Sequence, residues 1–551
     1  MQKKWFKRFV KILLYSLGIF VLLLLGLGLY IYRVSEVQPP FLNDTRAIQL
    51  KRTVADSVRY TINNNVLQKN KYGLYEMYLE GDGFERGVIF GKLGEELIRY
   101  QEEAFTKEIQ RMVPNPSYLK FLKYVVGFMN RDLEDHVLPE YRNEIYGVSI
   151  SADQKFNWIG SKYTRQLNYH AAHDIGHALS NMMLVGCTSF ATWNNRSVDS
   201  QLIIGRNFDF YVGDDFARNK IVAFYKPKNG IPFMSVTWGG FIGVVSGMNA
   251  AGLTVTINAA KSSIPSGAAT PVSLVAREIL QYAHNIDEAY AIAKKRTMFV
   301  SESFLIGSVA DNKAVVIEKT PDELAIYDSG KNEISCANHY QSKVLEHQSL
   351  NEEQKKRSAS VYRYQRLEEL LQGVNQNTPQ QTAAILRDYR GKGNADIGLT
   401  NEKAINQFIC HHSIIFEPKK QLVWVSTSPW QMGAYVCYDL KKIVAQNTLN
   451  PLAYEEDLVI APDTFLQAKS FTDVQTYLKN EQTFLRQKSL DPEALKESNP
   501  NYYDTYRLLG DYYVILNQKD KAVENYQKAL QFEIATEDER EAIQRKLKEM
   551  K

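Results

Sequence analysis

From residue 187 onward the chain is broken into short apolar runs, too brief for helices and too regular for loops. QLIIGRNFDF, KIVAFYKP, FMSVTW, FIGVVSGMN and GLTVTINAA follow one another, rich in branched and aromatic residues and separated by glycine turns. Runs of this kind specify strands. VSLVAREILQYAHNIDEAYAIAKK then reads as helical, with Thr270 as cap and Pro271 in the first turn. FLIGSVADNKAVVIEKTPDELAIYDS returns to strands, two helical stretches cover about 356–388, and SIIFEPKKQLVWVSTS reads as a hairpin turning at EPKK. Strands, helices and strands again predict a layered α+β architecture rather than a doubly wound parallel sheet.

The preceding segment, about 40–180, reads as mostly helical, with helical spacing after the Gly-Asp-Gly turn at 81–83. LNYHAAHDIGHALSNMML places His170, His173 and His177 three and four residues apart, so they can share one helical face. A metal site is one reading. A hydrogen-bonded helix face with Asp174 is the favoured one, because no HExxH glutamate is present. No metal and no cofactor are expected.

A chain of 551 residues exceeds a single core. Its net charge of +4 is deceptive, since Lys3, Lys4, Lys7, Arg8, Lys11 and Arg33 carry six positive charges at the N-terminus. The remaining body is near-neutral, which excludes a nucleic-acid binder. The 21 residues between Lys11 and Arg33 carry no charge and would span about 30 Å as a helix, the thickness of a bilayer core. Trp5, Tyr30 and Tyr32 suit the two interfaces, and the basic cluster belongs on the cytoplasmic side. An uncleaved anchor is favoured over a signal peptide, because no small-residue cleavage site follows. The catalytic body is then expected on the extracytoplasmic (periplasmic) side.

Cys187, in MMLVGCTSFATW, is one of four cysteines. A thiol is a useful nucleophile only when a cation lowers its pKa or a base takes its proton. Arg206 and Asp209, in GRNFD, follow it by 19 and 22 residues. Breaking the Gly186–Cys187 bond would create an α-amine with a pKa of about 8 on the nucleophile itself. No separate catalytic histidine is then needed. Cys336, Cys410 and Cys437 read as structural, with a Cys410–Cys437 disulfide as an alternative.

The Cys-Thr-Ser after glycine, then GRNFDF, then GMNAAGLTVTIN resembles the N-terminal-nucleophile hydrolases of the choloylglycine-hydrolase and penicillin-acylase type. The resemblance is nearer to the acyl-CoA:6-aminopenicillanic acid acyltransferase branch, a C45-type peptidase group, and covers about residues 60–445. It implies an αββα four-layer sandwich of two antiparallel sheets between helices, and a precursor cleaved at Gly186–Cys187. It further implies Cys187 as nucleophile, Arg206 beside the thiol, Asp209 on the α-amine and Asn258 in the oxyanion hole. Asn338 would be a second site asparagine, and Arg363, by its spacing to Arg366, a later site arginine.

The expected organisation is a basic tip and transmembrane anchor (1–33), a mostly helical pro-segment (34–186), a catalytic β part (187–447) and a helical tail (448–551). In the tail, Tyr506, Leu509, Gly510, Tyr513, Ala522, Tyr526 and Ala529 fall at tetratricopeptide spacing. One such repeat is not stable alone, so this TPR-like appendage packs on the body or holds a protein partner, with a simple helical hairpin cap as the alternative. The favoured function is hydrolysis of N-acyl amides through a cysteinyl acyl-enzyme, with acyl-CoA-dependent N-acyl transfer as alternative. An inactive scaffold binding protein through its tail is the reading from another class. The substrate is a small acyl amide or thioester.

Overall fold

The computed structural model describes residues 2–179, 186–262, 267–298 and 300–550, the side chains of 2, 3, 172, 173 and 175–179 excepted. Two sheets lie at its centre. The larger has eleven strands, in the spatial order Thr53–Asp56, Arg59–Ile62, Asn65–Lys69, Tyr75–Gly81, Ile221–Pro227, Phe233–Thr237, Ser246–Asn249, Leu253–Ala259, Glu302–Ser308, Lys313–Lys319 and Leu324–Tyr327. The smaller has six, in the order Glu333–Cys336, Thr188–Thr192, Ile203–Phe208, His412–Glu417, Leu422–Ser426 and Tyr435–Asp439.

Side-chain alternation lets one strand serve two cores. Along Ile221–Pro227, Ile221, Ala223 and Tyr225 face a helical layer, whereas Val222 and Phe224 face the other sheet. Between the sheets, Val222, Phe224, Met234 and Val316 meet Ile204, Ile414, Phe416 and Val425. On the outer side of the large sheet lie helices Gly83–Leu93, Pro139–Ile150, Lys162–Leu179 and Val272–Tyr282, bringing Phe90, Val148, Leu167 and Ile279. On the outer side of the small sheet, Phe190, Ile203, Ile415 and Trp424 pack on Leu367, Leu371, Ala383 and Leu386 of helices Ser360–Gln372 and Pro379–Leu386. The layers therefore run helix, sheet, sheet, helix.

Several sequence expectations need correction. The segment before Cys187 is not simply helical, because residues 53–81 supply four strands of the large sheet. YEMYLEG, inside that segment, is a strand buried continuously over Glu76–Leu79; the helix begins after Asp82, whose side chain accepts from the Glu85 N–H. The large sheet is not wholly antiparallel either. Tyr75–Gly81 pairs in parallel with Ile221–Pro227, across the Gly186–Cys187 position in sequence. Pro271, not Thr270, occupies the cap of Val272–Tyr282; the Thr270 hydroxyl donates instead to the His136 carbonyl. All four cysteines are free and buried, so Cys410 and Cys437 form no disulfide.

The apolar N-terminal helix runs Gln2–Val34, and its Lys4–Val34 portion is long and apolar enough to cross a membrane. It meets the body at its last turns, where Tyr30 and Tyr32 touch Phe128 and Tyr124. The tail forms helices Lys469–Gln487, Pro492–Ser498, Tyr503–Ile515, Lys519–Ala529 and Glu537–Met550 around a core that includes Tyr477, Leu495, Leu508 and Tyr526. Gly510 admits the Tyr526 ring, since a Cβ there would collide with it. The tail is fastened to the body by Arg357 with Asp538 and Glu541 and by Lys403 with Glu533.

Candidate active site

Cys187 immediately precedes strand Thr188–Thr192, which pairs with Ile203–Phe208 in the register Ser189 opposite Arg206. This pairing carries GRNFD back beside the thiol. Arg206 Nη2 stands 3.5 Å from Cys187 Sγ and 2.6 Å from the Ile257 carbonyl, while Nη1 donates to Ser246 Oγ at 2.6 Å. Its guanidinium also lies 4.3 Å from the Phe208 ring centroid. Arg363, on helix Ser360–Gln372, reaches the other side of the nucleophile. It donates to the Cys187 carbonyl at 2.8 Å, to Thr188 Oγ1 at 3.0 Å and to Asn338 Oδ1 at 2.8 Å.

Both arginines are fully buried, and among the described residues neither forms an ion pair with a carboxylate. Buried cations satisfied only by neutral acceptors favour negative charge on a neighbouring atom. The Cys187 thiol is nonetheless pushed up to about 11 by its own burial, with Arg206 pulling the other way. In the uncleaved chain the thiol is protonated at neutral pH.

Asp209 lies just beyond the strand end and is fully buried. Burial raises its carboxyl to about 7, against the lowering pull of Arg363. Its backbone carbonyl accepts from the Gly186 N–H at 2.8 Å, and no partner reaches Oδ1 among the described residues. Gln407 Nε2 donates to the Gly186 carbonyl at 3.0 Å and approaches Asp209 Oδ2 at 3.4 Å. The Gly186–Cys187 peptide is thus held at both carbonyls and at its glycine nitrogen.

The two asparagines bridge the sheets. Asn258 Nδ2 donates to the carbonyls of Cys336 and Ala337 at 3.2 and 3.1 Å, and its Oδ1 accepts from Ser189 Oγ at 3.0 Å. Asn338 Nδ2 donates to the Ala259 carbonyl at 2.8 Å. The structure therefore gathers Gly186, Cys187, Arg206, Asp209, Asn258, Asn338 and Arg363 at the junction of the two sheets. Both asparagine amides are occupied by backbone carbonyls in this arrangement.

Sequence reasoning missed four neighbours. Gln407 and Cys410 touch Asp209, His412 accepts from or donates to Ser246 Oγ at 3.0 Å, and Glu302 lies opposite Ala259. Both Glu302 carboxyl oxygens are buried without a hydrogen bond among the described residues, and burial holds its pKa well above the carboxylate range. CHHS at 410–413 was visible as a signal, but its partners lie some 200 residues away in sequence. His170 is not free to ligate a metal. Its Nδ1 hydrogen-bonds the Gln166 carbonyl at 2.8 Å and its Nε2 accepts from the Ile242 N–H at 3.0 Å. The side chains of His173 and His177 lie outside the described residues.

Beside the site runs an aromatic cleft lined by Phe105, Tyr169, Phe210, Phe216, Trp238 and Phe241. Phe208 connects it to Arg206, stacking on Phe210 and Trp238 at 5.5 and 6.5 Å between centroids.

Residues 193–428 match the family model of acyl-coenzyme A:6-aminopenicillanic acid acyl-transferase. That segment is similar to this family. It contains Arg206, Asp209, Asn258, Asn338 and Arg363, and it begins just after Cys187. A protein of Archaeoglobus fulgidus described as uncharacterized is 24% identical over 272 residues, 46% of this chain and 45% of its own. Protein dcd1B of Dictyostelium discoideum is 21% identical over 313 residues, 54% of this chain and 58% of its own. The chain spans about half the length of the curated relatives it matches.

Among solved structures, a Caenorhabditis elegans ortholog of N-acylethanolamine-hydrolyzing acid amidase is 18% identical over 42% of this chain and 93% of its own, with a TM-score of 0.30. Penicillin V acylase from Agrobacterium tumefaciens is 14% identical over 46% and 87%, with a TM-score of 0.32. A mutant conjugated bile acid hydrolase from Clostridium perfringens is 12% identical over 46% and 93%, also at 0.32. At these TM-scores the three structures decide nothing about the activity.

Proposed function

We propose that the chain is an autoprocessed, membrane-anchored cysteine amidohydrolase acting on amides with an apolar acyl group. One observation carries the reading. The peptide at Gly186–Cys187 is gripped by Gln407, Arg363 and the Asp209 backbone beside a thiol flanked by two buried arginines that form no carboxylate ion pair among the described residues.

In maturation, Cys187 Sγ attacks the Gly186 carbonyl carbon, and Gln407 Nε2 steadies the developing oxyanion. The C–N bond breaks, the thiol proton passes to the departing nitrogen, and a thioester with a free Cys187 amine results. Asp209, protonated near neutrality and with one oxygen unbonded, stands ready to exchange that proton and then to hold the amine. Water cleaves the thioester, releasing the thiol and the Gly186 carboxylate.

In turnover, the Cys187 α-amine takes the thiol proton and Arg206 stabilises the thiolate. Attack on the substrate amide gives an acyl-enzyme and a free amine once the proton is returned to the leaving nitrogen. Water then releases the fatty acid. The aromatic cleft reached through Phe208 suits an apolar acyl chain. Asn258 is proposed as an oxyanion donor, a role that requires its amide to leave the Cys336 and Ala337 carbonyls. Asn338 and Arg363 position the nucleophile's strand. The tail helices, proposed as one tetratricopeptide-like unit, brace the body.

The test is a panel of long-chain N-acyl amino acids, penicillin V, conjugated bile acids and acyl-CoA with an amine. Fatty acid released from the amides supports the proposal. Product from acyl-CoA plus amine alone would make the enzyme a transferase.

A further inference from the structure

Helix Pro116–Met129, PSYLKFLKYVVGFM, has an unusual surface for a globular body. Only Gly127 is buried in it. Tyr118, Phe121, Val125 and Phe128 follow one another at three, four and three residues, a single stripe along one helical face. Tyr118 is 53% exposed and Phe121 59% exposed, with the two rings stacked at 6.4 Å. Met112, at the end of the preceding helix, is exposed as well. The helix carries two charges, both lysines, Lys120 and Lys123.

The position of this stripe says what covers it. Its Phe128 end meets Tyr30 of the apolar N-terminal helix at 6.4 Å, and Tyr32 meets Tyr124 at the same distance. Gly127 lets the backbone at Ser35 approach, since a Cβ on it would stand 2.6 Å from Ser35 Cβ. Helix Pro116–Met129 is thus attached at the point where the spanning segment leaves the membrane. Aromatic residues with the exposed Lys120 at that level match an interfacial helix, its rings among headgroups and upper acyl chains and that cation near anionic lipid, while Lys123 pairs with Glu36 at 3.7 Å.

We infer that residues 112–129 form a second membrane contact, an interfacial helix that presses the body onto the bilayer surface. This rests on the reading of Lys4–Val34 as a membrane span. Two walls of the aromatic cleft start from the same place. Helix Glu95–Met112 carries Phe105, about 10 Å along its axis from Met112. Helix Lys162–Leu179 carries Tyr169 and is pinned near the membrane exit by Thr164 to Val37 and by Asn168 to Asn130. The contact thereby sets the cleft beside the lipid surface, where amphiphilic amides are concentrated.

The experiment uses the full-length chain carrying Cys187→Ala, whose three remaining cysteines are buried and leave an introduced one as the reactive thiol. Phe20→Cys in the span, Phe121→Cys on the stripe and Lys420→Cys in the small-sheet hairpin turn are each labelled with an environment-sensitive fluorophore. Each is reconstituted in vesicles of phosphatidylcholine and phosphatidylglycerol with brominated acyl chains. Loss of emission at positions 20 and 121 but not at 420 is the expected result. Quenching at 20 alone would overturn the interfacial helix while sparing the span. Quenching at neither 20 nor 121 would overturn both, and equal quenching at all three would show partition of the label itself and overturn the inference.

Discussion

The two sheets draw on the chain differently. The small sheet comes entirely from residues after Gly186 and carries the nucleophile's strand, GRNFD and the CHHS stretch. The large sheet takes four strands from before the proposed cut and seven from after it, joined at the parallel pair Tyr75–Gly81 with Ile221–Pro227. The difference teaches that the segment preceding Cys187 is no disposable leader. Met77 and Leu79 are fully buried in the same core as Cys187, Ala223 and Ile257. The nucleophile's strand belongs to one sheet and the seam between the two proposed fragments lies in the other.

The sharpest way to separate them is Cys187→Ala, which removes the chemistry and leaves the seam. Activity should fall by at least about 10⁴-fold, as for loss of a catalytic nucleophile, with circular dichroism unchanged. Retained turnover would place the nucleophile elsewhere. Asn258 ties the sheets together and also serves as the proposed oxyanion donor. Asn258→Ala should lower kcat by about 10²–10³ if it donates to the transition state. If it only bridges, the loss appears as reduced thermal stability, with kcat per folded enzyme unchanged.

A smaller effect is expected from pH. In the uncleaved chain Asp209 keeps its proton up to about 7, because of burial, whereas an unfolded aspartate releases it near 3.8. Between those values the folded state holds a proton that the unfolded state lacks, so stability from this group falls as pH rises through the window. On a Cys187→Ala background, Asp209→Asn should remove a pH-dependent loss on the order of 2–4 kcal/mol. Buried His411 and His412, both held well below the usual histidine value, oppose the trend equally in both proteins and cancel in the difference. Identical pH profiles in denaturant melts would contradict this. The least effect should come from Lys313–Asp328, an exposed pair on the large sheet at 2.9 Å. Breaking it with Asp328→Asn should cost under about 1 kcal/mol.

Much of the small sheet was legible from sequence because its strands are apolar runs with glycine or proline turns. IIFEPKKQLVWVS folds as read, Ile414 pairing with Val425 across the turn. The motif residues were legible because strand pairing brings Arg206 to Ser189, two residues from Cys187. The four early strands were not, since three of them span only four or five residues and one exposes every position, so no alternation shows. Gln407 was invisible for another reason. A single glutamine between asparagine and phenylalanine carries no local pattern, and only the fold sets it on the Gly186 carbonyl.

The central claim, that Cys187 cuts its own chain within an intact two-sheet body, is tested most directly on purified full-length protein. Wild type and Cys187→Ala are each run through native gel filtration, then denatured and sequenced from the N-terminus. Wild type should elute as one body near its whole mass of 63.1 kDa, plus any bound detergent. In denaturant it should separate into pieces of about 21 and 42 kDa, in proportion to chain length, the larger beginning at Cys187. Cys187→Ala should remain a single chain throughout. An active wild type that stays uncleaved, or fragments that part without denaturant, would contradict the account.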